Sequence, residues 1–103
     1  QQTVLSAWQE IDDELNGYGA ERSRRDELAA RLAGAERRRD LVQANYAAGN
    51  VSYLPLLDAR RAVLGAQREL AQSERDLHTR FIAVNKAVGN VPPGVPAGGE
   101  GAP

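Results

Sequence analysis

The sequence has no cysteine, a single phenylalanine (Phe81) and no uninterrupted apolar run. Without Cys there can be no disulfide, thiolate zinc site or thiol nucleophile, although the compartment stays open because many exported proteins also lack Cys. A membrane-spanning helix needs roughly 18 consecutive apolar residues, and no such run exists. One-sided charge is lacking too: 13 Lys and Arg stand against 14 Asp and Glu, a net charge of −1. No long-range field would draw such a chain to nucleic acid or to an anionic membrane surface. The first residues, Gln1-Gln2-Thr3, lack Met and any signal-peptide pattern, as expected of an excised segment or a processed product.

What is abundant is small or charged. The 103 residues include 17 Ala and 12 Arg, too little bulk for a broad core but well suited to a narrow seam between helices with wet outer faces. Val4, Trp8, Ile11, Leu15 and Tyr18 follow the four-three spacing of such a seam. Asn16-Gly17-Tyr18-Gly19 interrupts it without a Pro, and reads as a soft spot in one continuous helix. The pattern resumes at Leu28, Leu32, Ala35, Val42 and Tyr46, with Arg39 at a seam position from which its stem can snorkel outward. Glu21 with Arg25 and Glu27 with Arg31 have the orientation of supporting i,i+4 pairs.

The turn is the best-specified segment. Gly49 can adopt the left-handed conformation that closes a helix. Ser52 suits the N-cap of the next helix, and Tyr53, Leu54 and Pro55 fill its first turn. Val51 and Leu56 stand at hydrophobic-staple positions. The second helix should carry its seam on Leu57, Leu64, Leu70, Leu77, Phe81, Val84 and Val88, and stop at Gly89-Asn90 before Pro92-Pro93. The expectation is an all-α antiparallel helical hairpin over 1–90, with helices at 3–48 and 53–88, a turn at 49–52 and a disordered Pro/Gly-rich tail at 91–103. The first helix would overhang the second, leaving about ten residues, Trp8 and Ile11 among them, without an intrachain partner. A lone hairpin buries little surface against its ordering entropy, so self-association is expected.

Other clusters have plain readings. The Arg22, Arg24, Arg25 group and the Arg37-Arg38-Arg39 run point in several directions around a helix and lie close to acids, which describes a solvated face and not a phosphate site. His78 has only Glu74 one turn away, short of the three or four ligands a metal needs. Asp12-Asp13-Glu14 on an exposed helix has no pocket to shift a pKa, so neither catalysis nor a cofactor is expected. Trp8 and Phe81 read as seam residues.

Tyr46-Ala-Ala-Gly49, a short turn, and then Leu54-Pro-Leu-Leu57-Asp58-Ala-Arg-Arg61 resemble the periplasmic hairpin of the outer-membrane efflux channel family. The segments 3–15 and 84–89 resemble the start and close of the same hairpin. The resemblance implies the second helical hairpin of a trimeric channel, whose tip narrows the periplasmic entrance and meets an adaptor protein and an inner-membrane pump during export. It implies that Gly49, Asn50, Val51 and Ser52 form the adaptor-contact tip, and that Tyr46, Asp58 and Arg61 serve the pore and its gate. Asp58 and Arg61 would share one helical face. Pro55 stands where some members carry a second entrance carboxylate, and Ala47 where some carry an Arg. For Asp58 the plainer reading is a first-turn carboxylate favoured by the helix N-terminus. The alternative for the whole chain is a free-standing hairpin that dimerises or scaffolds.

Overall fold

In the computed structural model, residues 3–89 are described. Two helices account for nearly all of them: α1, Val4–Ala47, and α2, Tyr53–Gly89. The chain is an antiparallel helical hairpin; the expected tail at 91–103 lies outside the described residues.

Thr3 caps α1: its Oγ1 accepts a hydrogen bond from the Ser6 N–H at 3.0 Å, satisfying a donor that the first turn leaves without a partner. α1 runs unbroken through Gly17 and Gly19. It ends where Gly49 takes φ 81°, and two backbone bonds close it, Gly49 N–H to Tyr46 C=O at 3.0 Å and Asn50 N–H to Asn45 C=O at 2.8 Å. This bond pair is a Schellman motif, available because a residue without Cβ tolerates the left-handed conformation. Ser52 precedes α2 but makes no capping bond among the described residues. Pro55, third in α2, has no N–H for the Ser52 hydroxyl to accept.

The chain divides into two compact units, one comprising Gln1–Arg22 and Asp76–Pro103, the other Ser23–Arg75. In the second unit α2 turns Leu56, Ala59, Val63, Ala66, Leu70 and Ser73 inward at alternating intervals of three and four. Leu56 and Ala59 are each only 1% exposed. The facing positions of α1 are Arg25, Leu28, Leu32, Ala35, Arg39 and Val42, buried or half-buried. An exposed ion pair from Arg31 to Glu69 (3.8 Å) joins the two helices within this unit.

This phase corrects the expected seam of α2. Leu64, Phe81 and Val88 are exposed and Leu57 is half-buried; the buried residue stands one position earlier at Leu56, Val63 and Ala87. On α1, Val4 and Leu15 are likewise exposed. Leu70, Leu77 and Val84 of the expected seam are half-buried and keep the inward spacing, so the correction applies to Leu57, Leu64, Phe81 and Val88.

In the first unit Ala7, Ile11 and Ala87 are buried and Trp8 is half-buried. Tyr18 meets Phe81 with ring centroids 6.3 Å apart, and Ile11, two turns earlier, is only 6% exposed. The expected gap in cover thus does not extend to Ile11. Gly17 has a specific neighbour: a Cβ there would lie 2.6 Å from Nη1 of Arg80. The Arg80 guanidinium rests against bare backbone.

Among the described residues the expected i,i+4 pairs do not form. Arg25 instead bonds Asp26 (Nε to Oδ1, 3.0 Å), Arg31 reaches across to Glu69, and Oε2 of Glu21 is buried without a hydrogen-bond partner. Arg25 sits on the seam, and its next-residue acid lies on the route its stem takes to water. Arg39 does the same, bonding Asp40 at 3.0 Å.

Candidate functional site at the hairpin bend

The bend and the turns flanking it carry every residue singled out from the sequence. Tyr46, in the last turn of α1, meets Tyr53, the first residue of α2, edge to face at 5.6 Å between centroids and 62° between planes. That geometry sets a positive ring edge against a negative ring face and contributes about 0.5 to 1.5 kcal/mol beyond burial. Both rings remain exposed, as does Leu54, while Val51 is half-buried. The bend thus displays apolar surface on a rigid frame, held by two backbone bonds on one side and a ring contact between the helices. Tyr53 was not among the expected site residues. Its signal is visible in retrospect, an aromatic on each side of a five-residue turn.

Gly49, Asn50 and Ser52 are exposed, so the whole bend is open to a partner. Asp58 and Arg61 are exposed too, and among the described residues they make no ion pair with each other. Three residues along a helix bring them to the same side, but two solvated chains gain little by meeting. Nor does Asp58 lie in the first turn: it is the sixth residue of α2, beyond the reach of most of the helix-terminus effect. The structure brings Tyr46 together with Tyr53 and leaves Asp58 and Arg61 separately hydrated.

Outside the bend, His78 is exposed, and among the described residues no group of three or more His, Asp or Glu could hold a metal ion. No helix among them is long and apolar enough to cross a membrane. Open grooves flank the seam. One, of about 220 Å³, is lined by Leu15, Tyr18, Phe81 and Val84; another, of about 580 Å³, includes Arg39, Gln43, Arg60 and Leu64.

A helical pair with open grooves and an exposed aromatic bend defines a helical hairpin. A family model described as outer membrane efflux protein matches residues 1–90. The chain belongs to the outer membrane efflux protein family, a family of transport proteins and not of enzymes, and it is a helical segment related to efflux channels. No curated protein and no solved structure matches it.

Proposed function

We propose that the chain is a periplasmic α-barrel segment of a trimeric outer-membrane export channel, with its bend at the channel entrance. The observation that carries this reading is the family match spanning both helices and the bend. In this reading Gly49, Asn50, Val51 and Ser52 meet a periplasmic adaptor of a tripartite pump. The exposed Tyr46, Tyr53 and Leu54 beside them supply the apolar contact that a docked helix needs. Asp58, exposed and unpaired, supplies a carboxylate ring at the entrance, and Arg61, one turn on, a cation that can exchange between water and that ring. The membrane anchor would be a β-barrel contributed by other parts of the parent protein.

The reading is tested in the parent channel reconstituted in planar bilayers. Asp58→Ala is expected to relieve block by divalent cations applied from the entrance side, and unchanged block and conductance would refute the assignment of Asp58. A second reading, a free-standing hairpin that pairs with other hairpins, is supported by the exposed Leu15, Phe81, Ile82 and Val88.

A further inference from the structure

Residues 41–57 carry no charge in a chain that is 26% charged, so the bend is held by packing and backbone geometry and not by ion pairs. Its two aromatic side chains, Tyr46 and Tyr53, both lie in the second unit and touch each other. Their backbones are fixed independently. The Tyr46 C=O accepts the Gly49 N–H that closes α1, while Tyr53 opens a helix pinned to the seam by Leu56, which is 1% exposed. What remains free is each ring, and a Tyr on a helix surface commonly chooses between two χ1 wells. Neither hydroxyl makes a hydrogen bond among the described residues, so the contact is one of ring edge against ring face. An edge-to-face contact of this kind favours the rotamer that makes it by roughly two- to ten-fold. Tyr46 stays 42% exposed, so a ring held in one orientation still presents an open face.

We propose that Tyr53 is a positioning residue for Tyr46: it fixes the direction in which the open face of Tyr46 points at the channel entrance. The inference rests on the channel reading for where the bend lies, and on the ring contact for what Tyr53 does. The contact is made within one chain, so every subunit of a symmetric channel presents Tyr46 in the same way. A fixed ring can meet the same surface each time the entrance narrows. A loose ring must first lose its rotamer freedom, which disfavours closure. The apolar bulk of Tyr53 is not what does this. Leu at that position would cover apolar surface too, but it offers neither the positive ring edge nor the negative ring face.

Nuclear magnetic resonance of the full chain reads the contact directly, because the ring protons of Tyr46 are shifted by an aromatic neighbour. Tyr53→Phe should leave those shifts nearly as they are, and Tyr53→Leu should move them to the values of an isolated Tyr, with helix content by circular dichroism unchanged in both. Tyr46 shifts that ignore Tyr53→Leu overturn the proposal whatever the channel does. The consequence is read in the parent channel reconstituted in planar bilayers. Tyr53→Leu should raise the ratio of open to closed time roughly two- to ten-fold, and by no more than Tyr46→Leu does. The double variant should match Tyr46→Leu alone, since a residue that acts through another adds nothing once the other is gone. Tyr53→Phe should rescue the wild-type ratio. If Tyr46→Leu leaves gating unchanged, the placing of Tyr46 at the entrance fails and the proposal with it. If Tyr46→Leu acts while Tyr53→Leu does not, if the two effects add, or if Tyr53→Phe fails to rescue, the proposal alone is wrong and the channel reading stands.

Discussion

The two units of this hairpin use one heptad spacing in opposite ways. In the unit Ser23–Arg75 the seam itself is apolar, with Leu28, Leu56, Ala59, Val63 and Ala66 buried, although Leu41, Leu54 and Leu64 lie outside it. In the other unit the seam positions include Glu14, Glu21 and Arg80, while Leu15, Phe81, Ile82 and Val88 lie outside. Each Leu or Val withdrawn from water stabilises by about 1.5 to 3 kcal/mol. The first arrangement can therefore hold itself together, and the second leaves much of its apolar surface for something else to cover. A regular heptad is enough to pair two helices, but the residues on it decide whether the pair is finished.

The sharpest way to break this contrast is Leu56→Ala, which removes the most buried large side chain of the self-sufficient unit. Thermal denaturation should show a loss of about 2 to 5 kcal/mol, and a loss below 1 kcal/mol would mean that this core is not where the stability lies. Next comes Gly49→Ala. Nothing lies within 4 Å of the added methyl, so its expected cost of about 1 to 2 kcal/mol is that of placing a Cβ at φ 81°. Ser73→Ala has the opposite sign: the hydroxyl is 2% exposed and without a partner, so its removal should raise stability by about 1 kcal/mol. If stability falls instead, the hydroxyl has a partner in solution.

Smaller again is a comparison inside the other unit. Gly19→Ala meets open space and should stabilise α1 by about 0.5 to 1 kcal/mol. Gly17→Ala should gain less, because the flexible end of Arg80 must move aside. In an Arg80→Ala background the two substitutions should become equal in denaturant titrations, and a persistent difference would deny Arg80 the role. Least of all, Arg31→Ala should cost under about 0.5 kcal/mol at low salt and nothing at high salt, since both ends of the ion pair are more than half exposed.

The hairpin was legible in the sequence because its decisive signals are local. Gly49 terminates a helix wherever it stands, and Pro55 tolerates only the start of the next. The phase of the seam was legible only in part: Leu70, Leu77 and Val84 keep the inward spacing, but Leu57, Leu64, Phe81 and Val88 stand one position beyond it, where size and hydropathy alone do not tell a seam residue from its neighbour. The ion pairs failed for a related reason, since an arginine on the seam bonds the acid beside its exit to water and not the one a turn back. At the bend, Tyr46 was found through its family motif. Its ring partner Tyr53 becomes visible only when the turn brings the two sides together.

The tight closure at Gly49 also suggests an order of assembly. Tyr46 and Tyr53 are near neighbours in the chain, whereas Tyr18 and Phe81 lie on opposite sides of most of it. Linking distant residues through an open loop costs entropy that grows with loop length, but each rung next to a formed one closes only a short span. Helix pairing should therefore begin at the bend and run outward like a zipper, so that the start of α1 and the close of α2 are the last to pair.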